Sequence, residues 1–418
     1  MFINLSRLVA ASLVLTGLPV AASSGTHRAR PQFITGVCIY NGTGAFVGGG
    51  STNFATGMDA TVVDGDQNQA CDPSTAIAGG SNNAIYSGES TTASESFIGA
   101  GDSNTIDSPD AFIGAGSTNT IALSAQAGFI GAGQGGTVSA ADAFIGAGSM
   151  NTASGLAAFV GAGVSNTASG ASAFVGAGDT NVASGDYSAV DGGFGNKATA
   201  AYASVTGGSD NTASGNAATV VGGYHNQATG KFSFAAGYGS YANTDGSFVW
   251  SDDASGAKHL APARANEFIA RATGGVVFLT NAAATTGAML APGSGTWASS
   301  SDRALKSAVV PVSDGAILAK VAALPVAEWS YTSERGVRHV GPMAQDFYAA
   351  FGVGADDRHI TSVDEDGVAL AAIKALHAKL QLKGREVGAL REMVSSQGDE
   401  LRALRAELHA LEARAARR

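Results

Sequence analysis

Ser301 and Lys306 stand five residues apart in Gly295-Thr-Trp297-Ala-Ser-Ser-Ser301-Asp302-Arg303-Ala-Leu-Lys306. A serine hydroxyl is a weak nucleophile until a base takes its proton, and a neutral lysine amine can be that base. An ammonium set among apolar groups gives up its proton more readily, and Leu305 and Ala308-Val309-Val310 flank this lysine. Such pairs also arise by chance, so spacing alone does not make a catalytic site. Asp302 reads as a turn or helix-cap residue rather than a catalytic acid. His339 reads as a structural hydrogen-bonding residue rather than a base.

A different chemistry, hydrolysis of glycosidic bonds, needs two carboxylates facing one groove. Between Phe46 and Asn243 there are 14 Asp and Glu against two bases, Lys197 and Lys231. These acids fall at scattered positions with no aromatic platform around them. Solubility of an exposed fibre accounts for them better than divalent-cation binding does. No cofactor or metal site is expected.

The element that would carry any such site is a repeat. Between Ala45 and Ala242 the phrase Ala-Phe-Val-Gly-Ala-Gly-x-x-Asn-Thr-Ala-Ser-Gly recurs, most cleanly at Ala143–Gly155, Ala158–Gly170 and Ala173–Gly185. Its Asn marks the phase at residues 53, 68, 83, 104, 119, 151, 166, 181, 196, 211 and 226, nearly always fifteen residues apart. There is a six-residue excess between Asn83 and Asn104 and a two-residue excess around Gly136, and Tyr241 takes the last slot. So short a period suits one coil of a parallel β-solenoid with two short strands. Gly and Asn recur where a positive φ would be needed. Thirteen coils at the interstrand spacing of about 4.8 Å stack to roughly 60 Å.

Adjacent bulky residues such as Phe144-Ile145, Phe159-Val160 and Phe174-Val175 must point to opposite faces of a strand. One fills the interior and the other is left outside, unless the coil is wide enough to bury both. An exterior apolar stripe calls for a partner, and side-by-side homo-oligomerisation is the simplest answer. The phrase resembles the β-roll heads of trimeric autotransporter adhesins, in which three chains associate. No C-terminal series of alternating strands for an outer-membrane barrel follows it, so the anchor of that family is missing.

From Ser301 the chain resembles the intramolecular chaperone auto-processing domain of phage endosialidases and tail spikes, found also in the myelin regulatory factor family. The matching residues are Ser301-Asp302-x-x-x-Lys306, Pro311, Ile317-Leu318-x-x-Val321-x-x-Leu324-Pro325, Trp329-Ser-Tyr331, His339-Val-Gly341-Pro-Met-Ala344-Gln345-Asp346 and Val363-Asp364-Glu-Asp-Gly-Val368-Ala-Leu-Ala-Ala-Ile373. Pro342-Met343 stands where phage members carry two bulky apolar residues. The resemblance implies a cut between Ser300 and Ser301, with Ser301 as nucleophile and Lys306 as base.

Beyond Ile373 the apolar residues alternate in threes and fours: Ile373, Leu376, Leu380, Val387, Leu390, Val394, Leu401, Leu404, Leu408 and Leu411, with Lys383 and Gln397 as polar exceptions. That is a coiled-coil seam, with Gln397 at a d position and Glu386–Arg391 and Glu400–Arg405 placed to pair between parallel chains. The resemblance favours three chains, whereas the pattern alone fits two or three.

At the other end, a basic start, an apolar stretch from Leu8 to Val20 and Val20-Ala-Ala22 read as a signal peptide removed after Ala22. The apolar run is too short for a transmembrane anchor. Cys38 and Cys71 are the two cysteines; a disulfide, within or between chains, and a pair of free thiols both remain open. A net charge of −10 excludes nucleic acid as an expected partner.

The expected organisation is mainly β: signal peptide 1–22, N-terminal segment 23–44, β-roll head 45–244, β-rich connector 245–300, self-cleaving chaperone domain 301–372 and coiled coil 373–418. In the connector, two apolar runs flanking Gly274-Gly275 read as a hairpin. Such a chain is expected to be a secreted or cell-surface homotrimeric fibre with a host, matrix or glycan ligand. The competing expectation is a tail-spike-like head that degrades or binds polysaccharide.

Overall fold

The computed structural model describes residues 42–87, 93–253, 258–334 and 336–417. The signal-peptide expectation lies outside them, as does Cys38; Cys71 is disulfide-bonded. The chain divides into two compact units, the second comprising Leu279–Gly287 and Ser299–Arg418. Among the described residues no helix is long and apolar enough to cross a membrane.

The repeat folds as a parallel β-solenoid of about 13 turns. One sheet has 15 strands, from Phe46–Val47 to Phe268–Arg271, and the other 13, from Phe54–Ala55 to Tyr241–Ala242. Each strand is two to four residues long, and neighbouring coils pair like on like, Phe144 with Phe159 and Ile145 with Val160. The second residue of each strand points inward. Ile145, Val160 and Val175 from the first sheet meet Ala153, Ala168 and Ala183 from the second, all of them fully buried. A branched residue opposite an alanine matches large to small across a narrow interior, the pairing that lets a core pack closely. The wider coil that would bury both bulky residues does not form. Phe144 stays on the outside, half-buried, with its ring centroid 4.7 Å from Phe129 and 4.8 Å from Phe159.

The phase-marking Asn is not the positive-φ residue that the turn chemistry predicts. That conformation belongs to the residue before it, as at Met150, Ser165 and Thr180. The Asn side chains instead form a buried ladder. Asn166 Nδ2 donates to the carbonyls of Ala162 (3.0 Å) and Gly178 (2.9 Å), and its Oδ1 accepts from the backbone N–H of Asn181 at 3.0 Å. A buried amide must have partners, and here the backbone of its own and the next coil supplies them. Gly148, at φ +108°, shows why the phrase needs its second glycine: a Cβ there would lie 2.1 Å from the Gly163 carbonyl oxygen.

The irregular coils differ from the sequence expectation in two places, while the six-residue excess falls within the expected Asn83–Asn104 interval. Ser240, not Tyr241, takes the last ladder slot, its N–H donating to Asn226 Oδ1 at 2.9 Å, so that coil is one residue short. The two-residue excess lies not at Gly136, whose N–H bonds Asn119 Oδ1, but in the turn between Ile121 and Phe129. The six-residue excess enters at the equivalent turn, between Ile85 and Phe97. Both excesses fall in the connection from a strand of the second sheet to the next strand of the first, and both ladders keep their register on either side, because a surface connection takes up added residues without disturbing the strands it joins. The Gly274-Gly275 hairpin does not form. Phe268–Arg271 is the last strand of the solenoid sheet, whereas Val276–Leu279 joins Gly287–Leu290 and Trp297–Ser299 in a separate three-stranded sheet.

The second unit holds a 3₁₀ turn at Arg303–Leu305, helix α1 at Asp314–Ala323, helix α2 at Ala344–Phe351 and helix α3 at Ser362–Ala415. Ala327–Trp329 pairs antiparallel with His339–Gly341. Gly352, at φ +64°, ends α2 in the left-handed conformation that glycine adopts without cost. Thr361 caps α3 by accepting from the Asp364 N–H. Lys374 of α3 reaches Asp314 of α1 at 3.0 Å. Among the described residues of this unit only Phe347, Ala371, Ala372 and Ala375 are buried apolar side chains.

Candidate functional site

Ser301 lies directly after the strand Trp297–Ser299 and Ser300, and Lys306 directly after the 3₁₀ turn. The turn forms because Asp302 caps it: Asp302 Oδ1 accepts from the Ala304 N–H at 2.9 Å, and Leu305 and Lys306 N–H close back onto the carbonyls of Asp302 and Arg303. One tight turn between residues 301 and 306 folds the two side chains together. Lys306 Nζ donates to Ser301 Oγ at 2.7 Å, the separation at which a proton can pass between nucleophile and base.

Ser300 is held on the other side of the Ser300–Ser301 bond. Its N–H donates to the Gly287 carbonyl at 3.0 Å, and the Gly287 N–H donates to Ser300 Oγ at 3.1 Å. The Asp302 carboxylate accepts from the Ala304 N–H within the turn it caps, and among the described residues it makes no hydrogen bond to Ser301 Oγ or Lys306 Nζ. His339 bonds Glu334 at 3.1 Å and stacks on Trp329 with ring centroids 4.7 Å apart, within a cluster that includes Tyr331.

The residues from 301 onward can now be compared as a segment. Residues 301–353 match the chaperone of endosialidase family, Peptidase_S74. A comparison with curated proteins finds none that matches the chain. The chaperone of endosialidase family is one of self-cleaving chaperone domains, and the match supports a trimerisation chaperone at this end of the chain. It covers the 3₁₀ turn, α1, the antiparallel strand pair and α2, and stops before α3.

One expectation for this chaperone segment is not met by the single chain. Val309 and Val310, expected to bury Lys306, are 69% and 76% exposed, and Lys306 itself is exposed. The segment 307–313 bends at Ala308, which takes a left-handed φ of 53°, and leaves Val309 and Val310 in solvent, so sequence adjacency to apolar residues does not become burial. Sequence reasoning missed Gly287, which binds Ser300 from a strand 13 residues upstream. No motif marks that contact; it exists only once the two strands pair.

Proposed function

We propose that this chain is a secreted, homotrimeric, adhesin-like surface fibre, whose residues 301–418 direct trimerisation and are then released by self-cleavage between Ser300 and Ser301. The observation that carries the reading is the 2.7 Å contact from Lys306 Nζ to Ser301 Oγ within the segment that matches a self-cleaving chaperone family. In the reaction, Lys306 takes the hydroxyl proton as Ser301 Oγ bonds to the carbonyl carbon of Ser300. The bond from that carbon to the Ser301 nitrogen breaks, and Lys306 returns the proton to the nitrogen. Water then hydrolyses the resulting ester, leaving a carboxylate on Ser300 and restoring the Ser301 hydroxyl.

Assembly comes first in this scheme for a physical reason. The apolar wall that Lys306 needs is absent from the single chain, so partner chains packed on Val309 and Val310 would complete it. The seam of α3 has the same requirement. Repeats as alike as those at Ala158–Gly170 and Ala173–Gly185 can pair one coil out of step at little cost, and a non-repetitive trimeric end removes that ambiguity. After the cut, the head is held by its unfolding barrier.

Mass spectrometry of the assembled protein under denaturing conditions tests the reading. The wild type should yield fragments ending at Ser300 and beginning at Ser301, and Ser301→Ala or Lys306→Ala should yield one uncut chain. A wild-type chain that stays whole after assembly would sink the proposal.

A further inference from the structure

We propose that Ser300 and the loop 280–287 form a clamp that selects Ser301 as the nucleophile and holds the bond to be cut; the inference rests on the cleavage reading above. Three consecutive serines, Ser299, Ser300 and Ser301, precede the turn, and one lysine, Lys306, directly follows it. Chemistry alone does not tell these hydroxyls apart. Their placement does. The Ser300 hydroxyl is occupied by Gly287, accepting from its N–H and lying within donating distance of its carbonyl, both at 3.1 Å. With the Ser300 N–H also bound to that carbonyl, three contacts fix this residue to one glycine. The next hydroxyl along, that of Ser301, is the one left to meet Lys306.

Gly287 is itself held in place. Asn281 Oδ1 accepts from the N–H groups of Thr285 and Thr286, both at 3.0 Å, and Asn281 Nδ2 donates to Thr285 Oγ1 at 2.9 Å. The Thr280 N–H closes the loop onto the Thr286 carbonyl at 2.9 Å. One asparagine thus ties off a loop whose next residue is Gly287. This loop and the cleavage segment belong to the same compact unit, although the loop lies upstream of the cut and would stay with the product. The bond between Ser300 and Ser301 therefore sits between two anchors, the Gly287 contact on one side and the Asp302-capped turn on the other. Fixing both flanks restricts the carbonyl to the approach of a single hydroxyl, which is how positioning groups accelerate an intramolecular step. Ser300 is in this scheme a positioning residue; it donates and accepts no proton in the reaction.

The test follows the full-length chain made by cell-free synthesis. The first-order rate at which assembled chains, isolated on native gels, release the 301–418 fragment is measured across a pH series. Ser300→Ala should assemble like the wild type, cleave ten- to a hundredfold more slowly, on the order of what loss of positioning costs, and keep the wild-type pH midpoint. Ser300→Thr, which keeps the hydroxyl, should restore most of the rate, and Asn281→Ala should slow it several-fold. Wild-type rates in both Ser300→Ala and Asn281→Ala, with Ser301→Ala uncut, would overturn the clamp and leave the cleavage reading standing. A Ser301→Ala chain that is cut at the wild-type rate would overturn the cleavage reading itself.

Discussion

The solenoid and the C-terminal unit handle their apolar residues in opposite ways. Every inward position of the solenoid from Val62 to Val249 is sealed within a single chain, and its polar interior, the Asn ladder, is bonded to its own backbone. The C-terminal unit buries little, while α3 leaves Leu390, Leu401, Leu404 and Leu408 more than half exposed along a helix that runs about 80 Å at 1.5 Å per residue. A fold stacked coil on coil finds its core in its own next repeat. The exposed seam of a long helix has no such neighbour in its own repeat, and in the proposed trimer it would find one in the partner chains. The contrast bears on the proposed assembly: the solenoid interior is closed within one chain, whereas the unit carrying the Ser–Lys contact leaves most of its apolar residues in solvent.

The sharpest way to break that comparison is to remove the seam. Leu404→Asp with Leu408→Asp should abolish the trimer in light scattering and with it the cut, while the head keeps its β-rich circular dichroism. Trimers that survive these charges would move the association signal into the solenoid. Next in size is a change to the sealed interior. Ile145→Ala should lower the head's stability by roughly 2–5 kcal/mol, read as a drop in the denaturant midpoint, because a narrow interior collapses poorly around a cavity. The oligomeric state should not change. An unmoved midpoint would mean that coils are not held by their own cores.

The smallest effect sharpens the comparison from the polar side. Asp107 lies beside Asp72 at the corner of the six-residue insertion, and burial, then the charge of Asp72, raises its carboxyl above the ordinary value. A raised acid favours the protonated form in the folded state. Its charged form therefore detracts from stability at neutral pH, and that loss fades as pH falls through the folded pKa. Asp107→Asn should stabilise the head slightly at pH 7, by on the order of 0.5 kcal/mol, with the gain vanishing near pH 3. A variant that is less stable than wild type at pH 7 would contradict this assignment.

The fifteen-residue period was enough to determine a parallel solenoid, and the adjacent bulky pairs were enough to put their two side chains on opposite faces of a strand, since that follows from the two-residue alternation any strand must obey; that the coil is too narrow to bury both was decided by the fold. The motifs from Ser301 to Asp346 likewise pointed to Lys306 as the partner of Ser301, five residues being a span that one capped turn can close. Three matters lay beyond local pattern: which of Phe144 and Ile145 is inside, what the repeating Asn does, and what holds Ser300. Each depends on groups far apart in sequence, the opposing Ala153 and Ala168, the next coil's carbonyl at Gly178, and Gly287 across a strand pair. Periodicity reports which residues share a face. Only the folded chain decides what that face meets.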